Sequence, residues 1–128
     1  MVVGTFLTVI GWAMLSAAGS GSHSLNSHQA RKAAESAYMN TLLSGSACGL
    51  ICFLLKRHFV CGDHQKTPRY DIRSLCNGFL SGAAAVSAGA GVMHPWGAVI
   101  TGAFQSLFYM IFCLIFKKVR FDDPMENF

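Results

Sequence analysis

Asn77–Phe128 reads NGFLSGAAAVSAGAGVMHPWGAVITGAFQSLFYMIFCLIFKKVRFDDPMENF. Two long apolar runs meet at a Met93-His94-Pro95-Trp96-Gly97 corner, and a basic cluster with Asp122-Asp123-Pro124 follows. The first run is rich in Gly, Ala and Ser. Gly78 and Gly82 are four apart, as are Ser81, Ala85 and Gly89, a spacing that lets helices approach closely in lipid, where dispersion contact drives association. The second run carries large side chains from Leu107 to Leu114 and is expected to face lipid in part. His94-Pro95 is too short for a crossover, so the two helices must run antiparallel and touch, with Pro95 in the first turn of the second. Trp96 falls at the membrane–water interface, where aromatic rings are favoured.

The rest of the chain agrees with a membrane setting. Of 128 residues, 52% are hydrophobic and 12% charged, about half the charged fraction of a soluble domain. Spanning roughly 30 Å of hydrocarbon takes about 20 apolar residues. Four segments qualify, about residues 2–19, 36–55, 74–93 and 95–116. None of the 10 Lys and Arg or the 6 Asp and Glu falls inside them, as expected where a charge costs several kcal/mol. A soluble bundle would show a polar stripe on each helix. The fold class is therefore all-α, a multi-pass transmembrane bundle.

The net charge of +4 is topological and gives no nucleic-acid signal. Lys56, Arg57, Lys66, Arg69 and Arg73 lie between the second and third spans, and Lys117, Lys118 and Arg120 follow the fourth. The other long connection has only Arg31 and Lys32. The positive-inside rule then puts both termini in the cytoplasm. Residues 5–15 could serve as a signal-peptide core, but no Lys or Arg precedes them. The connection over residues 20–35 is polar, with His23 and His28 hydrated and Ser27 placed to cap a helical turn before the second span.

No enzyme constellation is present. There are no paired carboxylates in a span, no nucleophile elbow and no phosphate loop, so no catalytic activity and no cofactor are expected. His58, Cys61 and His64 form H-x2-C-x2-H, but the spacing matches no standard zinc finger and no fourth ligand is evident; it reads as a solvated loop, and no metal is expected. The five cysteines show no disulfide framework. The candidates among polar residues inside spans are Asn40, Asn77, Ser87, Thr101 and Gln105. Interhelical hydrogen bonding accounts for Asn40 and Asn77, whereas Ser87, with only small neighbours, also suits a pore wall.

Several motifs resemble the ammonium transporter family (Amt/Mep/Rh superfamily), in plant-type wording. Gly4-Thr5-Phe6-Leu7 with Gly11-Trp12 resembles the start of its sixth span, and Met39-Asn40-Thr41-Leu42-Leu43-Ser44-Gly45 its seventh. Cys76-Asn77-Gly78 with Gly82 and Ala88-Gly89 resembles the eighth. Pro95-Trp96-Gly97-Ala98 with Gly102 resembles the ninth, and Asp122-Asp123-Pro124 the link to the tenth. The resemblance implies four spans of an eleven-span fold, assembled as a homotrimer in the full-length family. It also implies ammonium or ammonia as the substrate and residence in the lipid bilayer of a plasma membrane. The charge bias independently gives the first span the direction that the family's sixth takes.

The substrate pathway implied by this resemblance falls on Trp12, Leu15, Ser20 and Ser87. Trp12 matches the Gly-Trp motif. Leu15 stands where the family has a gate Phe, which weakens a gate. The recognition Ser aligns with Gly19 or, after a one-residue slip, Ser20. Ser16 and Ala18 take the Asn and Gly of that motif, and Ser87 matches a pore-side hydroxyl. The family's two pore histidines belong to its fifth and tenth spans, for which this sequence has no counterpart. The expectation is thus a transporter fragment that conducts poorly alone. The alternatives are a non-conducting structural or regulatory fragment associating with full-length subunits, and an unrelated four-helix channel.

Overall fold

A computed structural model describes residues 1–22, 27–59 and 72–119. It contains four helices: α1 (Val2–Ser22), α2 (Ser27–Phe59), α3 (Ile72–Val86) and α4 (Pro95–Val119). No strand occurs among the described residues.

The contacts fix the topology. α2 touches all three other helices, α3 touches α1 and α4, and α1 and α4 do not meet. Along α2, Asn40 meets Ala90, Ser44 meets Gly82 and Cys52 meets Gly78, so α2 and α3 are antiparallel. Ser44 meets Gly102 and Cys52 meets Ser106, so α2 and α4 are parallel. Trp12 meets Ser87 and Ser20 meets Gly91, so α1 runs along α3. The result is an up-down-up-down bundle with the start of α1 and the end of α4 at the same end.

α1, α2 and α4 are long and apolar enough to cross a membrane, over Val2–Gly21, Ser27–Lys56 and Pro95–Ile115. α3 has 15 residues, or about 22 Å of rise, short of the hydrocarbon thickness. The third expected span, residues 74–93, is helical only to Val86, and Ser87–Met93 form successive turns. Gly89 and Gly91 lower helix propensity here. Pro95 then biases His94 toward extended backbone. The His94 carbonyl accepts the first N–H groups of α4, from Gly97 at 2.9 Å and Ala98 at 3.3 Å.

The helical turn expected after Ser27 at the end of the polar connection is present, and residues 27–35 are continuous with the second span in one helix of 33 residues. An exposed Arg31–Glu35 ion pair at 3.2 Å bridges adjacent turns there.

The small residues of α3 pack mainly on α2. A methyl added at Gly82 would lie 2.5 Å from Cys48 Cβ and 2.6 Å from the Ser44 carbonyl oxygen. One added at Gly102 of α4 would lie 2.5 Å from that same oxygen. Two helices therefore close on one backbone carbonyl of α2, and only glycine permits either approach. Beside this seam lies a small core of Ala37, Val86, Ala90 and Ala98. α3 and α4 are joined by a bond from Gln105 Nε2 to Ser81 Oγ at 2.7 Å. The large residues of α4, including Phe104, Phe108, Ile111 and Phe112, are exposed on the bundle, as a lipid-facing surface requires.

Several polar groups inside the bundle are bonded to backbone. Thr41 Oγ1 donates to the Ala37 carbonyl at 2.7 Å, and Thr101 Oγ1 to that of Gly97 at 2.9 Å. Ser44 Oγ donates to the Gly82 carbonyl at 2.8 Å, tying α2 to α3. Asn40 donates across helices, as expected, although its acceptors belong to the turns after α3. Asn77 reaches Tyr109 of α4.

Candidate functional site

An open groove of about 560 Å³ lies between α1 and the turns after α3. α1 supplies Trp12, Leu15, Ser16, Gly19 and Ser20 from one face, near helical spacing. Ala33 of α2 closes one end, and Ser87, Ala88, Gly91 and Val92 form the opposite wall. All four residues that the sequence singles out, Trp12, Leu15, Ser20 and Ser87, thus lie around one groove. Gly19 and Ser20, the two alternatives for the recognition position, both line it.

Hydrogen bonds fix the polar groups here. Trp12 Nε1 donates to Ser87 Oγ at 2.6 Å, and Ser87 Oγ donates to the Ala83 carbonyl at 2.9 Å. Ser20 Oγ donates to the Ser16 carbonyl at 2.8 Å. A hydroxyl has one proton and two acceptor lone pairs. Both protons are committed to backbone, and Trp12 occupies one lone pair of Ser87. What Ser20 and Ser87 still offer is acceptor capacity. No charged side chain lines the groove. The site therefore combines an indole ring, hydroxyl lone pairs and apolar walls. That chemistry suits a small hydrogen-bond donor and gives an anion nothing to bind.

The groove has walls from α1 and from the turns after α3, with Ala33 at one end, and is otherwise open. Leu15 is 71% exposed and Val92 92%. Leu15 contributes an apolar wall without the flat face of an aromatic gate.

Gly91 is a site residue that the pattern conceals, because the glycines there read as helix-packing positions. In the structure it lies in a turn, and a methyl there would come within 2.8 Å of Ser20 Cβ and 2.9 Å of Ser20 Oγ. Ala33 is concealed in the same way, in a stretch that reads as a connection. The Gly89-Ala90-Gly91 run was the available signal for a break.

A second cavity, about 90 Å³, lies between the first turns of α1 and α3 and is lined by Val2, Thr5, Phe6, Val9, Ile72, Leu75, Cys76 and Phe79. The Thr5 hydroxyl is used within α1, donating to the Met1 carbonyl at 3.2 Å. Among the described residues, no three His, Cys, Asp or Glu side chains stand close enough to hold a metal ion. The side chains of His58, Cys61 and His64, and Asp122-Asp123-Pro124, lie outside the described residues.

Comparison with known proteins places this groove in context. The family model described as Ammonium Transporter Family matches residues 1–128. The chain is 30% identical over a 137-position alignment to ammonium transporter 1 member 1 of Solanum lycopersicum, covering 98% of this chain and 26% of that protein. It is 33% identical over 88 residues to ammonium transporter 1 member 2 of Arabidopsis thaliana, and 36% identical over 89 residues to ammonium transporter 1 member 3 of Oryza sativa subsp. japonica. Each of these two alignments covers 69% of this chain and 16% of the relative. The chain thus spans between about a sixth and a quarter of the length of these curated relatives, all named as transporters. No solved structure matches it. With apolar helices of membrane-crossing length and a family match over its whole length, the chain is an integral membrane protein that belongs to the ammonium transporter family.

Proposed function

We propose that this chain supplies one wall of a transmembrane ammonium pathway, and that the groove between α1 and the turns after α3 is that wall. The observation that carries the reading is the Trp12–Ser87 bond, which joins two elements that both line the groove. Ammonium donates four hydrogen bonds and accepts none. Lone pairs on Ser87 and Ser20 replace part of its lost hydration, and the indole adds cation–π attraction. The groove has no carboxylate, so it compensates the charge only in part, and a bare cation in such a place carries a large desolvation cost. Neutral ammonia crosses at a lower cost, its proton being held elsewhere.

In this reading the chain has four crossings, close to residues 2–19, 36–55, 74–93 and 95–116, the third completed by α3 together with the turns to Met93. Both termini face the cytoplasm, following the placement of Lys and Arg, and the membrane is the plasma membrane. The transporter works as a homotrimer and performs no enzymatic chemistry. Acting alone, the chain conducts poorly, because Leu15 and Val92 stand open on the unwalled side. That exposure also favours a second reading, in which the chain associates with full-length subunits as a non-conducting structural or regulatory partner.

Liposomes carrying the purified 128-residue chain and an internal pH dye test the first reading. Little ammonium-dependent flux from the chain alone is expected. In chains supplemented with full-length subunits, flux that falls with Ser87→Ala or Trp12→Phe supports a shared pathway. Co-purification with those subunits without any effect of either substitution on flux supports the second reading.

A further inference from the structure

We propose that Asn40 is the positioning residue of the groove: its buried amide ties down the two carbonyls that bracket Gly91 and Val92, and so holds Ser87 within reach of Trp12. Asn40 is fully buried on α2. Its Nδ2 donates to the Ala90 carbonyl at 2.8 Å and to the Met93 carbonyl at 2.7 Å. Both protons of one amide are thus spent on one short segment. Gly91 and Val92, the residues between those carbonyls, line the groove.

The segment needs such a tie. Its own backbone bonds are few: Ser87 N–H to Ala84 at 3.3 Å, Gly89 N–H to Val86 at 3.0 Å, and Val92 and Met93 N–H to the single carbonyl of Gly89, each at 3.1 Å. None of them satisfies Ala90 or Met93. In hydrocarbon, irregular backbone is tolerated only where protein or a water-filled cavity satisfies it. Asn40 meets that requirement from another helix. Its Oδ1, by contrast, is buried without a partner among the described residues. The arrangement is one of donation alone, directed at the segment that ends at the groove.

The test uses the 15N-labelled 128-residue chain in lipid nanodiscs, read at the Trp12 indole N–H resonance, with Trp96→Phe to assign it. Ser87→Ala defines the position of an indole that has lost its acceptor. Asn40→Leu keeps the volume and removes both donors. Its indole resonance is expected to move most of the way to the Ser87→Ala position, with exchange of the Val92 and Met93 amides accelerated at least tenfold. Thr41→Val, a buried neighbour whose hydroxyl bonds within its own helix, is expected to change neither. If Asn40→Leu does not fold, Asn40→Ser replaces it with the same expectations, because a serine hydroxyl can bond to its own helix. An indole resonance left at its wild-type position in the folded variant overturns the proposal.

A last arm rests on the ammonium-pathway reading. Ammonium chloride, compared with sodium chloride, is expected to shift the Trp12 indole resonance of the wild-type chain, at concentrations at least threefold lower than in Asn40→Leu. An indole displaced by Asn40→Leu, with no ammonium response in either chain, upholds the positioning role and overturns the pathway reading.

Discussion

Gly82→Ala offers a direct measure of how tightly this bundle is closed. The added methyl would stand 2.5 Å from Cys48 Cβ and 2.6 Å from the Ser44 carbonyl oxygen, with the Gly45 Cα at 3.1 Å. Carbon atoms in contact prefer about 3.5–4.0 Å, so α2 and α3 must separate locally by roughly 1 Å. Two of the three neighbours are backbone atoms, which cannot turn aside. Overpacking of this kind costs about 1–3 kcal/mol. The shift also stretches the Ser44 Oγ bond to the Gly82 carbonyl, now 2.8 Å, worth about 0.6 kcal/mol in a membrane bundle. Better helix propensity of Ala returns at most about 1 kcal/mol. The net expectation is a loss of about 1–3 kcal/mol. Reversible unfolding in mixed micelles, followed by circular dichroism as the denaturing detergent fraction rises, reads this loss as an earlier midpoint. Gly11→Ala is the internal control, because a methyl there meets nothing within 4 Å; it should be neutral or stabilising by up to about 1 kcal/mol. If Gly82→Ala unfolds at or beyond the midpoint of Gly11→Ala, the close approach of α3 to α2 does not govern stability and the packing argument fails.

The remaining predictions concern single contacts. Gly102→Ala, which places a methyl 2.5 Å from the same Ser44 oxygen, should destabilise by about 1–3 kcal/mol in the same unfolding experiment. Ser44→Ala should lower stability by about 0.6 kcal/mol and by no more than about 1.7 kcal/mol, since it removes one interhelical bond; a larger loss would mean that the hydroxyl does more than tie α2 to Gly82. Gly91→Ala should crowd Ser20 and weaken the ammonium-dependent shift of the Trp12 resonance, while amide exchange within α2 stays unchanged. Glu35→Gln, which removes one partner of an exposed pair, should change the midpoint by less than about 0.5 kcal/mol at low salt and by nothing measurable at 1 M salt, where charges a few ångströms apart are already screened.

Much of the bundle is legible because hydrocarbon imposes a blunt rule. The absence of charge from residues 2–19, 36–55 and 95–116 marks α1, the inner part of α2, and α4. The same rule fails at the end of α3. Residues 87–93 are as apolar as a helix, and what makes a break tolerable there is Asn40, far earlier in the chain. No periodicity reports a side chain that donates to distant backbone carbonyls. The partner of the small face on α3 was available in principle: Gly45 and Gly49 on α2 repeat the four-residue spacing of Gly78 and Gly82, and the two pairs interlock. The short His94-Pro95 link points only to contact with α4 and is silent about α2. The outer turns of α2 are legible from Ser27 as a cap candidate and from the helical Arg31–Glu35 spacing, whereas their polarity hides that they continue the second span without a break. At the groove, Trp12, Leu15, Ser20 and Ser87 came from likeness to a family and from no pattern of their own. Gly91 and Ala33 carry no side-chain chemistry, so nothing in their identity distinguishes them from packing residues.

The orientation of the groove's hydroxyl protons has a consequence for what stays out. A water molecule entering beside Ser87 and Ser20 finds places to give its hydrogens and none at those residues or at the Trp12 N–H to receive one. Its own lone pairs must then be satisfied by other water, so a single water is held there less firmly than at a site that offers both donors and acceptors. Chloride and hydroxide fare worse, because they approach lone pairs with negative charge of their own. Three committed hydrogens thus leave an uncharged crevice that accepts hydrogen bonds at its hydroxyls but does not donate them, without a single ionised side chain.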